Sequence, residues 1–197
     1  TSSTFVNVTA NAYYLPYDSW TAEKLQQNYG GKLTWESYVK PLSWEISNGK
    51  LIISGIGAMA DYTENNPAPW QEYASDIQLV EVESGVSNIG DYAFVGLPNV
   101  TTLDISNTVT RIGDYAFNGH KKLTEVILGD FVTDIGEYAF ASCTGITWLV
   151  LSDRLETIGD YAFFQCTGLR SVSLPSPVTT LGTGAFLNCS ALQTIWL

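Results

Sequence analysis

The apolar positions of the last 130 or so residues return at a fixed interval. The string Ile-Gly-Asp-Tyr-Ala-Phe fills 89–94, 112–117 and 158–163, and Ile-Gly-Glu-Tyr-Ala-Phe fills 135–140. Leu181-Gly-Thr-Gly-Ala-Phe186 is a weaker fifth copy, and every step from Ile89 to Ile112, Ile135, Ile158 and Leu181 is 23 residues. The positions between these strings keep the same register. From Phe94 the next apolar sites are Leu97, Val100, Leu103, Ile105, Val109 and Ile112; from Phe140 they are Cys143, Ile146, Leu149, Leu151, Leu155 and Ile158. A degenerate earlier copy runs through Ile77, Val80, Val82, Val86 and Ile89, with Trp70 near the Phe position.

The Leu-x-x-Leu-x-Leu spacing is that of a short strand with alternate residues turned inward, entered through a turn that also points inward. Each copy then forms one superhelical coil, with a strand near 100–105, a second extended stretch near 109–112 and a short helical turn at 114–117. One coil cannot bury its own apolar face, so neighbours must stack, and like residues form internal columns. The predicted fold is a leucine-rich-repeat solenoid over 70–197, β-rich with short helical turns and wound as a right-handed superhelix. About six coils at roughly 4.8 Å per step give a stack on the order of 25 Å long.

The first coil needs a cover, or its Val and Ile column meets water. Trp44-Glu-Ile46 and Leu51-Ile-Ile53 flank Asn48-Gly49, a hairpin signal because a type I′ turn needs positive φ at both central residues. Residues 43–69 are therefore read as an N-terminal hairpin cap, with Pro67-Ala-Pro69 leading into the first coil. Residues 1–42 form an N-terminal extension. Asp18 or Ser19 could cap a short helix over 21–29, stopped by Gly30-Gly31. The sequence ends at Leu197 on the strand of the last copy. An edge left open there is a pairing hazard, so the natural chain is expected to continue, the alternative being an edge that docks on a partner.

The Ile-Gly-Asp-Tyr-Ala-Phe strings, the Cys-x-x-Leu step (Cys166 to Leu169, Cys189 to Leu192) and Leu174-Pro175 resemble the BspA-like leucine-rich-repeat proteins of bacterial surfaces. The lead-in is similar too, from Gly49 through Met59, then Pro69-Trp70 and Gly85-Val86. The resemblance covers roughly residues 43–197. It implies an exported protein displayed on the cell surface and used for adhesion or protein recognition, and it says little about the ligand.

Composition narrows the function classes. Twenty acidic residues against nine basic ones give a net charge of −11, which repels phosphate backbones and anionic lipid and argues against nucleic-acid or membrane-surface partners. No apolar run approaches the roughly 18 residues that would suggest membrane insertion. One histidine, with no Gly-x-Ser-x-Gly, Walker or His-Glu-x-x-His pattern, leaves no catalytic set, and none is assigned.

Three columns invite chemistry. Cys143, Cys166 and Cys189 share one repeat position, and His120 takes the same position one coil earlier. Ligands in a straight ladder cannot converge tetrahedrally on zinc, and parallel Cβ vectors disfavour a disulfide. Buried, inert thiols are expected, with His120 a partly buried spacer and no metal or other cofactor. Asp91, Asp114, Glu137 and Asp160 are read as caps of the helical turns in preference to a calcium ladder. Tyr92, Tyr115, Tyr138 and Tyr161, a column ending at Gly184, are read as a packed convex wall with wet hydroxyls.

The strand face is the favoured binding surface. Between the inward sites lie Thr102 and Asp104, Glu125 and Ile127, Trp148 and Val150, Ser171 and Ser173, then Thr194 and Trp196. The candidate ligand-binding residues are Glu125, Ile127, Trp148, Val150 and Trp196, an apolar group ringed by polar side chains. The competing possibility is that residues 1–42 cover them. The expected protein is a non-enzymatic, monomeric recognition module at the cell surface, binding a protein or glycan on a host or neighbouring cell. Its rivals are a structural spacer and an ancillary domain of a larger surface enzyme.

Overall fold

The computed structural model describes residues 9–14, 32–37 and 40–197; the expected helix at 21–29 lies outside them. The chain divides into two compact units, Thr1–Pro41 and Leu42–Leu197. In the first, β1 (Thr9–Tyr14) and β2 (Lys32–Ser37) pair in parallel.

The second unit is a β-solenoid. It opens with an antiparallel hairpin, β3 (Ser43–Ser47) and β4 (Lys50–Ser54), closed by Asn48 and Gly49 at φ of 51° and 76°. The positive φ values of that pair are what a two-residue hairpin turn requires. After β5 (Gly57–Ala58) and a short 3₁₀ helix (Pro69–Tyr73), β6 (Leu79–Val82) runs parallel to β4, so the hairpin adds two strands ahead of the first coil. The front strand and rear strand of each coil then alternate along the chain. They are β7 (Val86–Ile89), β8 (Thr102–Ile105), β9 (Arg111–Ile112), β10 (Glu125–Ile127), β11 (Asp134–Ile135), β12 (Trp148–Val150), β13 (Thr157–Ile158), β14 (Ser171–Ser173), β15 (Thr180–Leu181) and β16 (Thr194–Trp196).

The rear strands form one continuous parallel sheet in the order β5-β7-β9-β11-β13-β15. The front strands follow each other in the same way, but their backbone pairing is interrupted, leaving β3-β4-β6-β8, β10-β12 and β14-β16 as separate hydrogen-bonded groups. Front strands β6, β8, β10, β12, β14 and β16 bound five complete turns. The repeat and its 23-residue spacing are therefore present as expected.

The internal columns are straight. Phe94, Phe117, Phe140 and Phe163 are fully buried, and adjacent rings lie 5.1–5.4 Å apart at 3–19°. Trp70 closes one end of the stack over Phe94 at 5.6 Å, as its place in the register suggested, and Phe186 continues the other end at 5.3 Å. Burying each such side chain is worth about 1.5–3 kcal/mol, so the phenyl column is a major source of stability. Close approach of neighbouring coils is secured by glycine. A Cβ on Gly136 would sit 2.7 Å from the Asp114 backbone nitrogen, and one on Gly182 would sit 2.3 Å from the Gly159 carbonyl carbon.

One expected feature is corrected. The segment 114–117 is a tight turn and not a helical one. Tyr92, Tyr115, Tyr138 and Tyr161 have φ of 51–57°, in the left-handed region, which breaks any right-handed helix at its first residue. Left-handed tyrosine is strained by about 1–3 kcal/mol. The conformation aims each Tyr N–H along the stack, where it donates to the carbonyl of Asp114, Glu137, Asp160 or Thr183 in the next coil at 2.8–3.0 Å. The rings also stack, at 4.7–5.0 Å and 14–16°. Inter-coil bonding and stacking thus offset the local strain.

Candidate functional site

The outward residues of the front strands form two rows across the stack. Pairing aligns Lys50, Leu79 and Thr102 in one row and Ile52, Glu81 and Asp104 in the other. Further along, Glu125 aligns with Trp148 and Ile127 with Val150, while Ser171 aligns with Thr194 and Ser173 with Trp196. The face therefore has two characters. Its leading half carries Glu81, Asp104 and Glu125, with Lys50 paired to Glu81. Its trailing half carries apolar groups and hydroxyls.

Strand alternation explains why this half is exposed. Val126, Leu149 and Val172 turn inward, so their neighbours must turn out. Trp148 is 61% exposed, Trp196 63%, Ile127 53% and Val150 38%. Ile127, Trp148 and Val150 adjoin on the paired strands β10 and β12, and Trp196 stands two coils beyond Trp148 on β16, which pairs with β14. Trp148 and Trp196 also line one cleft of about 320 Å³, together with Val150, Ser171, Ser173 and Asp153. Ile127 and Glu125 stand beside this cleft and not in it. The strand period identifies the two tryptophans, but it does not reveal that Asp153 and Pro175 come in from the turns after β12 and β14 to form the rim.

A second, more polar cleft of about 550 Å³ lies at the other end of the face. It is lined by Glu45, Asn48, Lys50, Gln78 and Thr101, among others. Sequence reasoning missed it because it is formed between the hairpin turn and the following two strands. Nor did it anticipate the aromatic cluster in which Trp44 and Tyr62 meet the buried Trp70 edge-on at 6.1 and 5.5 Å and Tyr73 abuts Trp44.

The thiol column is closed to solvent. Cys143, Cys166 and Cys189 are buried and free, and each S–H donates to a phenylalanine carbonyl: Phe117, Phe140 and Phe163, at 3.1–3.2 Å. Burial pushes the Cys143 thiol up to about 12, so no thiolate forms there near neutrality. His120 is corrected from partly to fully buried, at 1% exposure. Its Nε2–H donates to the Phe94 carbonyl at 2.8 Å, the same bond the cysteines make. Nδ1 has no hydrogen-bond partner. Burial holds the imidazole down at about 4, outweighing the opposing effect of the Phe94 carbonyl.

The acidic column is likewise corrected. Its carboxylates do not cap their own turns. Asp91 Oδ1 accepts the N–H of Asp114, Asp114 Oδ1 that of Glu137, and Asp160 Oδ1 that of Thr183, at 2.6–2.9 Å. Each of these three aspartates serves the same position one coil further on. Asp61 does the same for Asp91, and Arg111 lies 3.0 Å from Asp91 and 3.7 Å from Asp114, relieving their repulsion. Among the described residues no group of three or more His, Cys, Asp or Glu side chains is arranged to hold a metal.

Parallel front strands, 23-residue coils and inward columns of Leu, Ile, Val and Phe define a leucine-rich-repeat solenoid. The sequence of residues 73–197 matches six copies of the BspA type leucine rich repeat region. The chain belongs to that family. A leucine-rich repeat protein from Eubacterium ventriosum is 30% identical, with a TM-score of 0.67 over 78% of this chain and 41% of that one. The leucine rich repeat protein of T. pallidum is 25% identical at 0.61, over 78% and 67%. A leucine rich cell surface protein from Faecalibacterium prausnitzii shares the fold at 21% identity and a TM-score of 0.51, over 78% and 52%. The chain thus spans less than half of the first of these proteins. A comparison with curated proteins found no match. The family and fold are typically non-enzymatic, and no described helix is long and apolar enough to cross a membrane.

Proposed function

We propose that this chain is a non-enzymatic recognition segment of a bacterial surface protein, which presents the trailing half of its strand face to a protein or glycan on another cell. The observation that carries the proposal is the exposure of Trp148, Ile127, Val150 and Trp196 on one strand face, each on a strand paired in parallel with a neighbour. Exposed apolar groups of this kind mark interaction sites, and tryptophan is prominent among residues whose truncation costs 2 kcal/mol or more of binding. A preordered surface also loses little conformational entropy on docking. Surface display is supported by the family. Glu125 borders the apolar group and would contribute to orientation, as a rim charge does.

The test is a screen of the purified protein on arrays of extracellular proteins and of glycans. At least one ligand should bind, and Trp148→Ala should weaken it tenfold or more while shifting the melting temperature by under 2 °C. Equal binding by wild type and variant would remove the proposal.

A further inference from the structure

We infer that the cleft between Trp148 and Trp196 binds neutral pyranose rings, an inference that rests on the recognition role above and narrows its ligand to a glycan. Trp148 and Trp196 stand on the strands either side of β14, and Ser171 and Ser173 of β14 form the floor between them. The pairing of Ser173 with Trp196 and of Ser171 with Thr194 sets the two indoles two residues apart along the strand direction as well. Two inter-strand steps and two residues of rise put their Cα atoms about 12 Å apart. An α-helix about 10–12 Å across with its side chains cannot enter a gap of that size once the indoles occupy part of it. A single flat ring can, with van der Waals contact at about 3.5–4.0 Å on each side.

The chemistry of the lining fits such a ring. A pyranose has apolar C–H faces and hydroxyl edges. Its C–H hydrogens carry partial positive charge and are attracted to the negative face of an indole. Its hydroxyls need both donors and acceptors, which Ser171 and Ser173 supply as hydroxyls; Thr147 Oγ1 already donates to the Thr124 carbonyl and adds acceptor capacity only. Asp153 adds an acceptor at the rim. A cleft of about 320 Å³ is at the lower end of the ~300–1,000 Å³ range of small-ligand sites, suiting one or two rings. Charge selects among sugars. Asp153 in the cleft, Glu125 aligned with Trp148, and a net charge of −11 all repel uronates, sialates and sulfated sugars.

The experiment is affinity electrophoresis of the whole chain through gels containing mannan, dextran or hydroxyethylcellulose, with polygalacturonate as the anionic comparison. At least one neutral polymer should retard the protein and polygalacturonate should not. Trp148→Ala and Trp196→Ala should each weaken retardation at least tenfold, and Trp148→Phe should restore part of it. Ile127→Ala, outside the cleft, should leave retardation unchanged, and circular dichroism should show all four variants folded. Retardation that ignores both tryptophans, or none in any neutral gel, would overturn the inference. Where no polysaccharide retards the protein but capture of an extracellular protein still depends on Trp148, the glycan assignment fails and the broader recognition role stands.

Discussion

His120→Cys should abolish a specific part of the protein's acid sensitivity. His120 is fully buried, donates once through Nε2 to the Phe94 carbonyl, and leaves Nδ1 without a partner. Its folded-state pKa is depressed to about 4 from 6.5. Between those values the unfolded chain takes up a proton that the folded one refuses. Stability is therefore whole above pH 6.5, declines as pH falls through 6.5, and stops declining near pH 4. The gap corresponds to about 3 kcal/mol in all, and about 2 kcal/mol by pH 5. Cysteine is the matching substitute because Cys143 makes the equivalent bond to Phe117 at 3.1 Å. The smaller side chain costs about 1 kcal/mol of packing, and that cost does not vary with pH. Urea titrations of both proteins at pH 7, 6, 5 and 4.5 read the difference. Carboxylates titrate alike in the two, so subtraction isolates the imidazole. Parallel stability curves from pH 7 to 4.5 would refute the reasoning.

Further outcomes follow from the inter-coil contacts. Asp114→Ala leaves the Glu137 N–H without its acceptor and should lower stability by about 1 kcal/mol in denaturant titration, whereas Asp114→Asn, which keeps an acceptor oxygen, should lose less. Gly136→Ala forces a Cβ against the Asp114 backbone and should cost about 1–3 kcal/mol by thermal or chemical melting. Phe140→Ala, in the middle of the phenyl stack, should cost about 3–5 kcal/mol in the same assay. The three cysteines, buried with S–H donors engaged, should react with a thiol reagent only after denaturation, and counting fewer than three then would contradict their free state.

The columns were legible in the sequence because a constant repeat length maps directly onto axial stacking. Phe94 and Phe117 could be placed on each other, and Trp70 over them, from spacing alone. Outward Trp148 and Trp196 followed from strand alternation. What sequence reasoning missed depends on backbone angles or on neighbours from another coil. Asp114-Tyr-Ala-Phe117 looks like a helix start, since a period cannot distinguish left-handed from right-handed φ at Tyr115. The role of Asp114 needed the knowledge that the Glu137 N–H lies beside it along the axis. The full burial of His120 is signalled by the repeat position it shares with Cys143, but imidazole polarity argues for partial exposure from sequence alone. The interrupted pairing between β8 and β10, and again between β12 and β14, has no counterpart in the repeat pattern, which runs through both places unchanged. β1 and β2 also pair at the interval of the array, Thr9 with Lys32 through Tyr14 with Ser37, but neither segment is followed by an Ile-Gly-Asp-Tyr-Ala-Phe string, so the repeat motif does not reveal the pairing.

Coils stacked in register keep the outward row straight from Thr102 through Glu125, Trp148 and Ser171 to Thr194. Spin labels on Thr102→Cys and Thr194→Cys measure it by double electron–electron resonance, with the native thiols shielded by burial. Four coil steps at roughly 4.8 Å put the two backbone sites about 19 Å apart, so a single narrow distribution near that value, broadened only by the label arms, is expected. A broad distribution, or one centred beyond 30 Å, would contradict the stacked face and with it the recognition surface built on Trp148.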